Sequence, residues 1–170
     1  LGYVDDEMLQ IKTISRGLKP DGGGHVLFKC PTRRVLKPVQ LLTPGKVKRI
    51  RGISYANRCS PAIANRMVET AKGILLNFIP DIYIYTDHLK GANSGKSPGY
   101  GISLVAETNE GVFYVGGAIS NPAKSDKGVS VPEDVAKEAA HALLNDIYRG
   151  GCVSTTNQGL AALWMAFGDR

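Results

Sequence analysis

The chain has 170 residues, of which 43% are hydrophobic and 21% are charged, and it carries a formal net charge of +6. This composition is typical of a globular domain and excludes a disordered or collagen-like chain. No apolar stretch approaches the roughly 20 residues of a membrane-spanning helix. The first residue is Leu1 rather than methionine, and we expect the sequence to be an internal part of a longer protein.

The first predicted element is a β-hairpin. Alternating apolar and polar residues predict a half-buried strand over residues 8–16, and a second strand follows at residues 25–31. The segment between them contains three consecutive glycines after Asp21, which predicts a turn because glycine adopts positive φ without steric penalty. Residues 35–42 are apolar but contain Pro38, so they form at best an edge strand.

Residues 46–119 are predicted to form a β-α-β-β-β unit. Pro44 and Gly45 mark a break, where we place a domain boundary. Ser60 is expected to cap a helix that has Pro61 at its first position and continues to residue 78. A three-residue connection ending in Gly111 joins the last two strands. The predicted strands are residues 46–55, 81–86, 100–108 and 112–119.

A polar linker at residues 120–129 leads to a second helical region. Residues 130–133 match a capping box, and the apolar positions that follow form a narrow stripe of small residues suited to close packing on a sheet. Gly150 and the glycine after it end this helix, and a last helix is expected from Thr155 or Thr156 to residue 167. These elements predict an α/β (α+β) fold in which helices pack on small mixed sheets.

The cysteines and most of the polar motifs predict no catalytic or metal site. The three cysteines are far apart and form no CxxC pair, which favours reduced, buried thiols. Ser94-Gly95-Lys96-Ser97 resembles the end of a phosphate-binding loop, but the upstream glycine is displaced by one residue and a strand follows. We expect a mobile loop next to RNA or a partner there. Asp81 and Asp87 lie about 20 Å apart along a strand, and His88 is expected to be exposed at its end. The cysteines are Cys30, Cys59 and Cys152.

The strongest functional signal is a basic segment. No acidic residue lies between Asp21 and Glu69, whereas this interval has ten basic residues. Alternation along residues 46–51 places cations on both faces of one strand, so at least one of these faces must meet solvent or a partner. This pattern favours contact with a polyanion or an acidic partner. The candidate RNA- or partner-binding residues are Arg33, Arg34, Lys37, Lys46, Lys48, Arg49, Arg51 and Arg58.

The segment IPDIYIYTDH at residues 79–88, with five shorter segments, resembles the eukaryotic cyclase-like branch of the RNA 3′-terminal phosphate cyclase family. This segment is the most specific, and the resemblance covers nearly the whole chain. It implies that residues 44–120 are the family's inserted small domain, that residues 1–43 are part of the large domain, and that residues 121–170 return to it. The other matching segments are residues 36–41, 48–52, 60–61 with 64–67, 94–99 and 148–152.

The same resemblance implies a function. Cyclases carry a tyrosine and an Asp-Gln pair that contact the nucleotide, and the aligned positions here are Thr156, Gly159 and Leu160, which favours the non-cyclising branch without a cofactor. That branch implies a nucleolar factor of the small-subunit processome, or 90S pre-ribosome, that acts in 18S rRNA maturation. Its implied partners are pre-rRNA, processome proteins and a large ribosome-assembly GTPase. An active ATP-dependent cyclase and a pre-rRNA endonuclease remain the alternatives.

Overall fold

The structure is a computed structural model that describes residues 9–32, 40–122, 125–126 and 128–167. Of the predicted edge strand at residues 35–42, residues 35–39 lie outside the described residues, and residues 40–42 have no regular secondary structure. Within the described ranges, no helix has both the length and the hydropathy needed to cross a bilayer.

The centre of the fold is a four-stranded sheet with the strand order β4-β3-β5-β6. β3 pairs in parallel with β4 and antiparallel with β5, which in turn pairs antiparallel with β6. The predicted class, helices on small mixed sheets, is confirmed. The four strands are β3 (Val47–Asn57), β4 (Ile82–Leu89), β5 (Gly99–Thr108) and β6 (Phe113–Ile119).

Two helices cover one face of this sheet. α1 (Pro61–Leu75) begins as predicted, because the Ser60 hydroxyl accepts a hydrogen bond from the Ala62 amide at 3.3 Å. It ends three residues earlier than predicted. α2 (Pro132–Arg149) does not have the predicted capping box, because the Ser130 hydroxyl accepts a hydrogen bond from the Asn121 amide instead.

The core lies between the sheet and these two helices. α2 contributes its predicted stripe of small residues, and Ala136 and Ala139 are fully buried against the same cluster as α1 and β3–β6. The core therefore does not divide at residue 120 within the described part of the chain. Its largest fully buried apolar side chains are Ile50, Met67, Leu75, Ile102, Leu104, Leu143 and Val112.

The remaining regular elements are largely exposed. β1 (Gln10–Ser15) and β2 (His25–Lys29) form the predicted antiparallel hairpin. The expectation that the first strand is half-buried is wrong for β1, because its residues from Gln10 to Ile14 are exposed. α3 (Gln158–Phe167) has no buried residue either. Cys30 is exposed, contrary to the prediction of buried thiols, whereas the other two cysteines are half-buried.

The loop that contains residues 94–97 packs on the glycine-rich turn of the hairpin. The Gly95 amide donates to the Arg16 carbonyl at 2.7 Å, and the Lys96 amide donates to the Gly22 carbonyl at 3.0 Å. The Ser97 hydroxyl is buried and bonds the Asp21 carboxylate. A Cβ on Gly95 would lie 2.2 Å from the Gly22 oxygen, so the close approach requires glycine. These bonds give the loop a structural role, because they dock it on the turn of the hairpin.

Candidate nucleic-acid interface

The sheet face opposite α1 and α2 is open to solvent over most of its area in the described part of the chain, and we call it the open face; at one end Arg16 of the hairpin contacts Tyr55 and Asp87. Strand alternation places there the odd-numbered side chains of β3 from Arg49 to Tyr55 and the odd-numbered side chains beside them on the other three strands. Arg51, for example, lies beside Tyr83 on one neighbouring strand and Val105 on the other. The open face consists of residues 49, 51, 53 and 55 of β3, 83, 85 and 87 of β4, 101, 103, 105 and 107 of β5, and 113, 115, 117 and 119 of β6.

Lys48 and Arg49 converge on one carboxylate. Their side-chain nitrogens each lie 2.6 Å from an oxygen of Glu107, on β5. Both side chains remain almost half exposed, at 45% and 44%. The hydrogen bonds from Lys48 and then Arg49 lower the pKa of Glu107 and so keep it ionised. One carboxylate balances only one of the two cations, so the pair carries an excess positive charge.

The predicted alternation of cations on two faces is wrong. The register of β3 against β5 shifts between Val47 and Arg49. An irregularity of this kind re-aims a side chain, because the two-residue period of the strand is locally interrupted. Lys48 therefore reaches the same carboxylate as Arg49, whereas Ile50 is fully buried in the core and Val47 packs against it.

Arg51 forms a bidentate ion pair with Asp81, the residue just before β4. Nη1 and Nη2 of the guanidinium lie 2.8 and 3.2 Å from the two carboxylate oxygens. The hydrogen bond to Asp81 raises the pKa of Arg51, and the same bond lowers the pKa of Asp81. The side chain of Arg51 is 38% exposed and that of Asp81 55% exposed. The guanidinium is thus held against Asp81 at the edge of the sheet, and part of its surface stays exposed to another ligand.

The other candidate cations do not join this cluster. Arg58 follows the far end of β3, about 30 Å from Arg49 along the strand. It is exposed, has a positive φ of 52°, and its Nε donates to the Gly95 carbonyl at 2.7 Å. Lys46 is exposed beside Val47, and its amide donates to the Asn109 side chain. Arg33, Arg34 and Lys37 lie outside the described residues.

The open face also carries aromatic side chains that the sequence analysis did not assign to a site. Tyr83 and Tyr85 are 52% and 58% exposed, and their rings meet edge to face with centroids 4.5 Å apart. Phe113, on the opposite edge strand, is 44% exposed. The signal was available in the sequence, because tyrosines two residues apart in a strand lie on the same face.

At the end of the open face farthest from Lys48, Arg16 of the hairpin covers part of the sheet. The guanidinium of Arg16 lies 4.3 Å from the centre of the Tyr55 ring and 2.8 Å from the Asp87 carboxylate. Burial raises the pKa of Tyr55, and the charge of Arg16 partly opposes this. His88 is half-buried, contrary to expectation, with Nε2 2.9 Å from the Cys59 carbonyl. Asp87 is thus engaged in an ion pair that docks the hairpin.

The positions that match the cyclase nucleotide site lie beyond α2. Thr156 is in a short 3₁₀ turn, with Oγ1 3.3 Å from the Ser154 hydroxyl, and Gly159 and Leu160 are exposed in α3. Across the described ranges, no three His, Cys, Asp or Glu side chains lie close enough together to hold a metal ion.

Comparisons with known proteins agree with this architecture. The family model described as the insert domain of RNA 3′-terminal phosphate cyclase matches residues 42–148. The chain is 56% identical over 167 residues to the RNA 3′-terminal phosphate cyclase-like protein of Homo sapiens, which covers 98% of this chain and 44% of that protein. It is 46% identical over 156 residues to the rRNA processing protein rcl1 of Schizosaccharomyces pombe, covering 91% of this chain and 41% of that protein.

A third relative extends the similarity to insects. The probable RNA 3′-terminal phosphate cyclase-like protein of Drosophila melanogaster is 51% identical over 166 residues, which is 97% of this chain and 43% of that protein. The chain spans less than half the length of these curated relatives. The matched region contains the whole four-stranded sheet with α1 and most of α2. The chain therefore belongs to the RNA 3′-terminal phosphate cyclase family, in its eukaryotic cyclase-like branch.

Proposed function

We propose that the protein acts in the processing of pre-rRNA and contacts that RNA through the open face. The observation that carries the proposal is the cluster of Lys48, Arg49 and Arg51, which combines three half-exposed cations with partners that leave excess positive charge. Such cations attract phosphate groups without reading bases. The name of the Schizosaccharomyces pombe relative, rRNA processing protein rcl1, supports the choice of RNA.

The finer proposal follows the cyclase-like branch. The protein is a non-catalytic assembly factor of the small-subunit processome in the nucleolus, needed for 18S rRNA maturation, with a ribosome-assembly GTPase among its partners. Thr156, Gly159 and Leu160 support the non-catalytic role, because none of them supplies the phenol, carboxylate or amide of the cyclase pattern. We further propose that the inserted domain extends through α2, since this helix shares the core of residues 44–120 and the family match reaches residue 148.

Replacing the three cations with glutamine tests the RNA contact. In Lys48→Gln/Arg49→Gln/Arg51→Gln we expect weaker binding to a single-stranded pre-rRNA oligonucleotide, measured by fluorescence anisotropy. The slope of log affinity against log salt concentration should fall by about 2, since each lost phosphate contact to a single strand removes about 0.7. Glutamine is preferable to glutamate, which would repel Glu107 and Asp81. An unchanged affinity and slope would contradict the proposal.

Glu107→Gln provides a test of the opposite sign. Removal of the carboxylate frees Lys48 and Arg49, so the affinity for the same RNA should rise by about two- to fivefold, the range that an exposed ion pair is worth. The matched control is Lys72→Gln/Lys137→Gln/Arg149→Gln, which removes three cations from the helical side. That control should leave the affinity within twofold of the wild-type value.

A further inference from the structure

The open face carries exposed aromatic rings beside its cations. Tyr83 and Tyr85 lie on the edge strand β4 and expose more than half of their surface, and Phe113 lies on the other edge. The rings of Tyr83 and Tyr85 are in contact, and contiguous exposed apolar surface is a mark of interaction sites. No strand or helix among the described residues covers it.

We propose that the open face is a platform on which bases of single-stranded RNA stack, with Tyr83 and Tyr85 as the stacking side chains. This inference rests on the proposed function and assigns it a ligand conformation and two further residues. Some four-stranded sheets bind single-stranded RNA by stacking unpaired bases on exposed aromatic side chains, and each stacked base contributes about 1–3 kcal/mol.

The arrangement of charge favours RNA over a protein partner. Arg51 lies in register beside Tyr83, and the Lys48–Arg49–Glu107 cluster borders the same rows. Lysine is depleted at protein–protein interfaces, whereas here Lys48 and Arg49 share one carboxylate and leave an excess positive charge on the face. Arg51 is partly exposed and lies beside Tyr83, so it can bind the phosphate of a nucleotide whose base stacks on that ring.

The neighbouring side chains leave room for a base beside Tyr85. In register with it, across β3, β5 and β6, lie Ile53, Ser103 and Gly117. Ser103 and Gly117 are exposed and small. Beyond Ile53 the side chains therefore rise little above the sheet and leave room for a base. Positions 83 and 85 are about 6.6 Å apart along the strand. A base that stacks on either ring must be unpaired, which excludes an intact RNA duplex as the ligand.

Removal of the two rings tests the platform. For Tyr83→Ala/Tyr85→Ala, purified protein should bind a fluorescein-labelled twelve-nucleotide oligouridylate at least tenfold more weakly than the wild type, because stacking on both rings is lost. Tyr83→Phe/Tyr85→Phe should retain affinity within about twofold, since the rings remain. Tyr148→Ala is the matched control, because Tyr148 is 91% exposed on α2, away from the open face. Thermal unfolding checks that every variant is folded.

The outcomes separate this inference from the proposed function. If the glutamine variants of Lys48, Arg49 and Arg51 weaken RNA binding but the alanine variants of the tyrosines do not, the platform is overturned and the electrostatic contact stands. If the wild-type protein binds no single-stranded RNA, both are overturned. The platform would also be overturned if Tyr83→Ala/Tyr85→Ala lost the same factor in affinity for the oligouridylate and for an RNA duplex of the same length, because stacking requires unpaired bases.

Discussion

Gly116→Ala is expected to lower the free energy of unfolding by about 3 kcal/mol, at the upper end of the range for overpacking a core. A Cβ at this position would lie 2.5 Å from the backbone nitrogen of Leu143 and 2.7 Å from the carbonyl oxygen of Ala139. Both atoms belong to the backbone of α2, which cannot rotate aside as a flexible side chain can. The added methyl group therefore pushes α2 away from β6.

The matched control is the same substitution in α1. A Cβ on Gly73 would meet no atom within 4 Å, so Gly73→Ala should raise the free energy of unfolding by about 0.5–1 kcal/mol through its higher helix propensity. Urea unfolding followed by circular dichroism measures both variants. A Gly116→Ala protein as stable as the wild type would show that α2 does not approach the sheet as closely as described.

Asp146→Ala is expected to cost about 3 kcal/mol, because it removes a buried charged acceptor with several donors. The carboxylate accepts hydrogen bonds from the Ser154 hydroxyl and from the amide and hydroxyl of Thr155. The Ser154 oxygen in turn accepts a bond from the Val115 amide on β6. Asp146 therefore ties the end of α2 to the following loop and to the sheet.

The pH dependence of stability supplies a second readout for Asp146. Burial alone raises the pKa of this carboxyl, but the hydrogen bonds from Ser154 and Thr155 outweigh it and lower the pKa. Because the folded-state pKa lies below the unfolded value near 3.9, the carboxylate contributes stability above about pH 4. That contribution is lost as the pH falls through the folded-state pKa. Asp146→Asn should therefore lose less stability than the wild type on acidification below pH 4.

Asp134→Ala is the control for Asp146. Asp134 lies on the same helix, but its ion pair with Lys137 is exposed, so its loss should change the free energy of unfolding by less than about 1 kcal/mol. If the two alanine variants were equally stable, the network around Asp146 would contribute nothing to the fold.

The sequence was sufficient to predict most regular elements, because their signals are local. Ser60 and Pro61 mark the start of α1. The small residues of α2 predict close packing on a sheet, and Gly116 of β6 lies against them. The capping box at residues 130–133 failed for a non-local reason. The Ser130 hydroxyl accepts a hydrogen bond from the Asn121 backbone amide, nine residues earlier in the chain. A four-residue capping motif cannot show that this distant donor competes for the hydroxyl.

The candidate site was less predictable, because its charges are balanced across strands. The basic segment contains no acidic residue, yet Glu107 and Asp81 reach into it from β5 and from the residue before β4. Strand pairing decides which cations they meet. Arg58 illustrates the same limit, since its Nε bonds the backbone of Gly95 on a distant loop. Charge along a sequence thus overstates the free charge on the folded surface.

Ultraviolet cross-linking of the protein to RNA in pre-ribosomes, followed by mass spectrometry of the linked peptides, tests the central claim most directly. We expect cross-linked nucleotides on peptides that contain Tyr83 and Tyr85 of β4 and on those that contain residues 48–51 of β3. Cross-links should be absent from the helical side that bears Tyr148. RNA linked to other parts of the protein, with none on β3 or β4, would contradict the account.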